Sequence, residues 1–309
     1  MLFLISVTAG IEKSVHKQIT GKGMKRRMEF IRKKQYTAML DMEKDGVRYL
    51  QFPAFTKSGV CRHLFSTRIG GVSTGDIGTM NLSYSRGDLK ENVDENFRRI
   101  AGVLGCDISD FVLSQQTHTT NVRLVTAEDK GKGVTCVQDY RDVDGLITNE
   151  PGIVLSTFYA DCVPLFFVDP IKKVIGLSHS GWRGTVGKIG KVTVEKMTEH
   201  YGCNPEDILA AVGPSICADC YEVSMDVADE FKNAFSEAEN RDKIILPKSE
   251  NKAMLDLWQA NLAVLLQAGI RKEHITLPDI CTACNKELLF SHRASGGKRG
   301  NMGAFLVLN

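Results

Sequence analysis

Residues Leu165–Leu177 have the sequence LFFVDPIKKVIGL, in which two apolar runs flank a polar turn, Asp169–Lys173. Each run has the length of a strand, and a turn containing Asp and Pro between two such runs predicts a β-hairpin. Helical spacing is clear over 91–105, where Val93 and Phe97 share one face. Hairpins mixed with helices favour an α+β fold over a purely parallel sheet.

The composition changes near residue 45. Residues 1–44 carry many Lys and Arg and few acids, and we expect them to form a poorly ordered basic extension. The alternative is an arm that binds nucleic acid or another anionic surface, although aromatic residues are not interleaved with the basic ones. No Pro/Gly/Ser-rich linker divides residues 45–309, which we predict to form a single domain.

Charge, hydropathy and cysteine usage limit the class of protein. The 309 residues have a formal net charge of +2, which says little about partners. No apolar run approaches the ~20 residues of a membrane helix, and the opening MLFLISVTAG lacks the flanks of a signal peptide. The nine cysteines are an odd number and argue against a disulfide framework. We therefore expect a cytoplasmic protein that binds neither membranes nor nucleic acid.

The second strand of the hairpin leads into HSGWRGT, residues 179–185. His179 stands where the strand ends, and Gly181 and Gly184 permit a tight turn. The free N–H groups of the following helix, with Arg183 beside them, make a plausible anion site. The alternative is that Trp182 fills the core and the glycines serve only the turn.

Two further segments supply metal-binding side chains. Cys162 lies between Asp161 and Pro164 at a break in an apolar run, and it flanks the hairpin opposite His179. A Cys and a His side by side can begin a zinc site or a thiolate–imidazole pair. His118, in QQTHTTNV, would complete a set of three ligands with a fourth position open. An inert buried cysteine and an ordinary hydrogen-bonded histidine remain the alternatives, since spacing does not show that the three converge.

Two CxxC pairs, Cys217–Cys220 and Cys281–Cys284, are separated by a long stretch of chain. A structural zinc held by all four cysteines is one hypothesis. The gap exceeds that of a compact zinc ribbon, and knuckle glycines are missing. Separate packing or redox roles are the favoured interpretation.

The Gly-, Ser- and Thr-rich loop within Phe65–Ser83 has Arg68 near its start. Such a loop can hold an anion with backbone N–H groups and an Arg side chain. A flexible surface loop is the alternative. Neither GxxxxGK[ST] nor GxGxxG occurs in the chain, so a P-loop is excluded and a nicotinamide cofactor is disfavoured.

Taken together and in order, the segments STRIGGVSTG, NLS, QQTHTTNV, YADCVPL, HSGWRGT, GPSIC-ADCYEV and CTAC…FSHR resemble the YfiH/YlmD-like family. The resemblance covers roughly residues 45–309. Members of this family were long described as polyphenol oxidases or laccase-domain proteins. FSHR departs slightly from the family's more usual FSYR, and His292 there affects no expected ligand.

The resemblance implies an α+β layered sandwich with mixed β-sheets, related to the catalytic domain of cytotoxic necrotising factor. It also implies one catalytic zinc held by His118, Cys162 and His179. The implied activities are phosphorolysis of adenosine, inosine and S-methyl-5′-thioadenosine to base plus ribose-1-phosphate, and hydrolytic deamination of adenosine to inosine. The partners would be purine nucleosides and phosphate, with the protein a monomer or homodimer.

These activities suggest roles for three more side chains. In deamination, zinc would activate water for attack at C6 of adenine, and Asp161 is a candidate for proton transfer. In phosphorolysis, phosphate would attack C1′ of the ribose as the purine leaves. Arg68 and Arg183 are then candidates for neutralising the phosphate charge.

Three other functions compete with this prediction. A copper-dependent phenol oxidase needs many more histidines, often in HxH pairs, and this chain has seven histidines and no HxH. A metal-free cysteine hydrolase would use Cys162 as its nucleophile. It would suit the editing of misincorporated serine in a peptidoglycan precursor, a role linked to one bacterial branch of the family. A non-catalytic binding protein would use the basic arm to contact a partner.

Overall fold

The computed structural model describes residues 27–309 and shows strands that alternate with short helices. In chain order the strands are β1 Leu40–Lys44, β2 Val47–Gln51, β3 Cys61–Ser66, β4 Phe111–Leu113, β5 Val122–Leu124, β6 Gly145–Thr148, β7 Val154–Tyr159, β8 Val163–Asp169, β9 Val174–Ser180, β10 Leu209–Val212, β11 Glu222–Ser224, β12 Ile245–Ser249, β13 Lys252–Leu255, β14 Ile275–Thr276 and β15 Met302–Leu308. The helices are α1 Pro53–Ser58, α2 Lys90–Leu104, α3 Trp182–Val186, α4 Ile189–Tyr201, α5 Met225–Ala234, α6 Arg241–Ile244, α7 Leu257–Gln267 and α8 His292–Ser295.

Two six-stranded mixed sheets form the centre of the molecule. The first has the strand order β1-β2-β3-β15-β7-β4, and the second has the order β14-β10-β8-β9-β6-β5. A third, three-stranded sheet, β11-β13-β12, is smaller. The predicted hairpin lies at the middle of the second sheet, where β8 and β9 pair in antiparallel register from Val163 opposite Ser180 to Asp169 opposite Val174.

The hairpin shows why both faces of the second sheet are apolar. Successive side chains of a strand point to opposite faces. Phe166 packs in the cluster shared with the first sheet, whereas Leu165 and Phe167 pack in the cluster that contains residues of α4 and α7. On the far side of the first sheet, Phe305 packs with residues of α2. The resulting layers, helix, sheet, sheet and helices, confirm the predicted α+β sandwich.

The chain crosses from one sheet to the other between β7 and β8. Residues 160–162 form the corner, and Asp161 adopts a positive φ of 93° there. The break expected beside Cys162 is therefore at this corner, and Pro164 lies within β8, opposite His179. The helical segment expected after HSGWRGT is divided into α3 and α4, because Lys188 has a φ of 59° between them.

The described part of the N-terminal extension, residues 27–44, differs from the expectation of poor order. Phe30 and Met39 are buried, and β1 pairs with β2. Arg32 forms an ion pair with the buried Asp279, whose carboxylate also accepts the Met39 N–H. Phe30 and Met39 thus pack into the core, and Arg27, Arg32 and Lys33 pair with acidic residues. Expectations about residues 1–26 lie outside the described residues.

Candidate metal centre

His118, Cys162 and His179 converge at the corner between the sheets. One ligand atom from each side chain lies within 4.8 Å of the others. Cys162 is the last residue of the corner, His179 is the penultimate residue of β9, and His118 lies in the loop after β4 with a φ of 66°. His179 is buried, Cys162 is half-buried and His118 is exposed. The donor set is thus closed on the protein side and open to solvent beside His118.

Asp144 orients this donor set. Its carboxylate lies 2.7 Å from His179 Nδ1 and accepts hydrogen bonds from the backbone N–H groups of Thr117, His118 and Thr119. The backbone carbonyl of Asp144 also accepts the His179 N–H. One buried carboxylate therefore fixes the His179 ring and the loop that carries His118. A carboxylate on one ring nitrogen of a histidine leaves the other nitrogen for a metal ion.

The electrostatics of His179 follow from these neighbours. Burial alone would lower the pKa of His179, but the Cys162 thiolate and the Asp144 carboxylate raise it to about 9. The pKa of His118 is lowered instead, by partial burial of the ring and by the nearby His179 and Arg183. Without a cation, the imidazolium of His179 would balance the two anions beside it. A metal ion would supply that positive charge instead.

Gly181 allows the three side chains to approach each other. A Cβ atom at this position would lie 2.7 Å from His118 Nδ1 and 3.3 Å from Cys162 Sγ. The first of these distances is shorter than van der Waals contact, so an alanine would push against both side chains. The glycine predicted to serve the turn is also required by the site.

Asp161 uses its carboxylate to hold two neighbouring loops. It accepts a 2.6 Å hydrogen bond from the Thr282 hydroxyl and a 2.7 Å bond from the Arg293 N–H. Its side chain is buried, and its backbone lies next to the ligand Cys162. These contacts position the corner. Proton transfer by Asp161 stays a prediction.

Arg183 and Trp182 lie together at the start of α3. The guanidinium of Arg183 lies 4.1 Å from the centre of the Trp182 ring, and the Arg183 side chain is exposed. Trp182 is half-buried against the core cluster below α4. The positive charge of Arg183 lies near enough to His118 to contribute to the lowering of its pKa. Trp182 thus supports a cation beside the site.

The environment of Arg68 differs from that of Arg183. It donates to the carbonyls of Gly78 and Lys286 and covers the Phe290 ring at 4.7 Å. With Lys298 and Arg299 it lines a cavity of about 220 Å³. Burial lowers the pKa of Arg299 to about 10, and its Nε is buried without a hydrogen-bond partner among the described residues. The negative charges of Asp161 and Cys162 act on Arg299, so this end of the net cationic cavity lies near the corner that carries Cys162.

Sequence reasoning missed Asp144 and Arg299. Asp144 is the second acidic residue of RDVDG and directly precedes β6. An acidic residue ahead of a strand was the only sequence signal for its role. The four cysteines of the two CxxC pairs also converge, with their sulfur atoms within 4.8 Å of one another. The favoured interpretation, separate roles for the pairs, did not anticipate this cluster.

Comparison with known proteins identifies the family to which this fold belongs. The chain matches the family model described as "Multi-copper polyphenol oxidoreductase laccase" over residues 62–309. It is 37% identical to purine nucleoside phosphorylase YlmD of Bacillus subtilis (strain 168) over 246 residues, which are 78% of this chain and 86% of that protein. The chain belongs to the YfiH/YlmD-like family.

Other members of the YfiH/YlmD-like family agree with this assignment. Adenosine deaminase RL5, from an unknown prokaryotic organism, is 36% identical over 80% of this chain and 94% of that protein. The crystal structure of YlmD from Geobacillus stearothermophilus superposes with a TM-score of 0.80 and 33% identity. The superposition covers 88% of this chain and 100% of that one. These findings confirm the resemblance and the fold class. Among residues 27–309 no helix is long and apolar enough to cross a membrane.

Proposed function

We propose that this protein is a zinc-dependent enzyme of purine nucleosides. Its reactions are the phosphorolysis of adenosine, inosine and S-methyl-5′-thioadenosine, and the deamination of adenosine to inosine. The observation that carries the proposal is the convergence of His118, Cys162 and His179 at a solvent-open corner. Relatives named purine nucleoside phosphorylase and adenosine deaminase support the choice of substrate.

The donor set suits a catalytic metal ion. Two imidazole nitrogens and one thiolate are ligands that zinc prefers, and three protein ligands are typical of catalytic zinc sites. The open side beside the exposed His118 leaves room for a fourth ligand. Zinc bound there supplies Lewis acidity, which activates a water or polarises a substrate oxygen.

The protein's own residues bind and orient the reactants. Asp144 would keep a proton on Nδ1 of His179, which leaves the other ring nitrogen for the metal ion. Arg183 presents an exposed guanidinium beside His118, where it can neutralise the phosphate that attacks C1′. Arg68 and Arg299 line the cationic cavity and are further candidates for phosphate binding. Asp161 is the candidate for proton transfer in deamination, and both of its oxygens accept hydrogen bonds.

Copper does not fit as well. A His₂Cys set also occurs in electron-transfer copper sites, but multicopper oxidases combine several histidine-rich centres. Among residues 27–309 the two groups able to hold a metal contain two histidines in total. Another histidine, His63, is buried and accepts the Phe52 N–H, which leaves it unsuited to a metal.

A second candidate rests on the same corner. Cys162, His179 and Asp144 stand in the order nucleophile, base and orienting carboxylate, which is the logic of a cysteine hydrolase. This arrangement would act without metal, for example on a peptidoglycan precursor. It predicts that iodoacetamide abolishes activity and that chelators leave it unchanged.

The deciding experiment combines metal content with turnover. Purified protein should contain zinc and release hypoxanthine from inosine and phosphate, and it should convert adenosine to inosine. His118→Ala should lose both activities and the zinc at this site. His200→Ala is the matched control, because His200 lies on the surface of α4 and pairs with the exposed Glu199. If the protein turns over no purine nucleoside, the proposal is wrong.

A further inference from the structure

The two CxxC pairs are far apart in the sequence, but their four cysteines form one compact cluster in the structure. β10 and β14 are parallel neighbours, with Ala210 opposite Ile275. The segments that leave these strands therefore run side by side, and Ser215 bridges Cys281 in parallel register. The pairing of two strands closes the long gap between the CxxC pairs.

The sulfur atoms have the spacing of a tetrathiolate metal site. All four lie within 4.8 Å of one another, and Cys220 Sγ lies 3.5 Å from Cys284 Sγ. Zinc–sulfur bonds of about 2.3 Å in a tetrahedron separate the sulfurs by about 3.8 Å. Cys217 and Cys281 are buried, whereas Cys220 and Cys284 are half-buried. The cluster is thus closed on one side and reachable by an ion from the other.

A hydrogen-bond donor and a positive charge lie beside the cluster, whereas burial and the neighbouring sulfurs raise the pKa values of Cys217, Cys220 and Cys284. The Cys217 N–H donates to Cys281 Sγ at 3.2 Å. The hydrogen bond to Asp219 is the main cause that raises the pKa of Lys33. The nearby charges of Cys217 and Cys284 raise it further. Four thiolates around a divalent ion leave a net negative charge, which this ammonium group offsets in part.

We propose that Cys217, Cys220, Cys281 and Cys284 bind a second zinc ion, distinct from the one at His118. The four thiols give up their protons to solvent as four Zn–S bonds form, and no electron is transferred. All four donors are sulfurs, so no position is left for water, as in structural zinc sites.

This second ion would position the first site. The Ile216 N–H, next to Cys217, donates to the Asp161 carbonyl at 3.0 Å. The Thr282 hydroxyl, next to Cys281, donates to the Asp161 carboxylate at 2.6 Å. Both CxxC segments are therefore hydrogen-bonded to Asp161, the residue before Cys162. Zinc in the four-cysteine cluster would fix the corner on which the catalytic donor set is built.

The test counts zinc per chain by elemental analysis of the full-length protein, purified under reducing conditions. We expect two equivalents in the wild type, one in Cys284→Ser and one in His118→Ala. Cys136→Ser is the matched control and should keep two, because Cys136 is exposed and belongs to neither cluster. Failure of the catalytic site alone would appear differently, as one equivalent in the wild type and none in Cys284→Ser.

A cobalt spectrum identifies the ligands. His118→Ala protein loaded with Co²⁺ should show the strong thiolate charge-transfer absorption of an all-sulfur site, and Cys284→Ser should lack it. Should Cys284→Ser fail to fold, the His118→Ala protein decides the matter by keeping one thiolate-bound equivalent. A His118→Ala protein without bound metal overturns the proposal. A mass lower by two hydrogens for each disulfide, under non-reducing conditions, overturns it as well.

Discussion

His179 Nδ1 and Asp144 Oδ1 lie 2.7 Å apart, with both side chains buried. Through this contact one carboxylate orients the ring of a candidate ligand histidine, while its other bonds hold the loop of His118. The donor set is therefore organised by a residue that is not itself a ligand.

Asp144→Asn should weaken metal binding without removing a ligand. An amide can donate to Nδ1 and so favours the tautomer whose proton blocks the metal-facing nitrogen. Loss of such an outer carboxylate typically costs 10–100-fold in metal affinity, and we expect a fall of about that size. Competition with a chelator measures it. Asp142→Asn is the control, since Asp142 bonds the Thr117 hydroxyl and does not contact the ring; equal losses in both variants would contradict the assigned role.

Gly181→Ala should distort the donor set while the fold survives. The new Cβ would meet His118 Nδ1 at 2.7 Å and Cys162 Sγ at 3.3 Å. We expect reduced zinc content and at least a tenfold loss of kcat/KM, with a circular dichroism spectrum like that of the wild type. Gly102→Ala, where a Cβ meets nothing within 4 Å, should keep full activity and gain about 0.5–1 kcal/mol of stability. Full zinc occupancy in Gly181→Ala would refute the argument.

Arg183→Gln should separate the two reactions. If this guanidinium binds phosphate, its loss raises the KM for phosphate by about 10–100-fold, the worth of a charge-assisted hydrogen bond. Deamination of adenosine uses no phosphate and should change far less. Arg98→Gln is the control, because Arg98 is an exposed residue of α2 that pairs with Glu95. Equal effects on both reactions would assign Arg183 to nucleoside binding instead.

Asp161→Asn distinguishes proton transfer from positioning. An asparagine tolerates the positive φ; its oxygen can accept the Arg293 N–H, and its NH2 group can donate to the Thr282 hydroxyl. A positioning role predicts a kcat within about tenfold of the wild type and a lower melting temperature. General acid–base catalysis by this carboxylate predicts a loss of about 10²–10⁴-fold and a changed pH profile. Steady-state kinetics across pH, with thermal unfolding in parallel, separates the two.

The sequence predicts those parts of the fold in which local pattern and tertiary packing agree. The β8–β9 hairpin has strand-length apolar runs and a turn between them, so its pairing follows from local chemistry. The ligand types at His118, Cys162 and His179 were recognisable, but the contact of Asp144 depends on a register that no local pattern encodes. The four-cysteine cluster was the less favoured of two hypotheses for the same reason, because it depends on the pairing of β10 with β14. The burial of Phe30 was missed because basic neighbours dominate its segment.

His63 should make the protein less stable as the pH falls. It is buried against Phe52, accepts that residue's N–H at 2.8 Å, and its pKa is lowered by burial to about 3. Between pH 6.5 and 3 the unfolded chain binds a proton that the folded chain does not, so the free energy of unfolding decreases as the pH falls through this window. The loss from this residue amounts to about 2 kcal/mol between pH 7 and pH 5.

Urea unfolding of the wild type and His63→Gln at the two pH values measures this contribution. The variant keeps an acceptor for the Phe52 N–H and has no titrating group, so its stability should fall by about 2 kcal/mol less than that of the wild type. Groups that titrate in both proteins, including the metal ligands, cancel in this difference. His200→Gln, on the surface of α4, should retain the wild-type dependence. Parallel pH curves for wild type and His63→Gln would show that His63 is protonated in the folded protein.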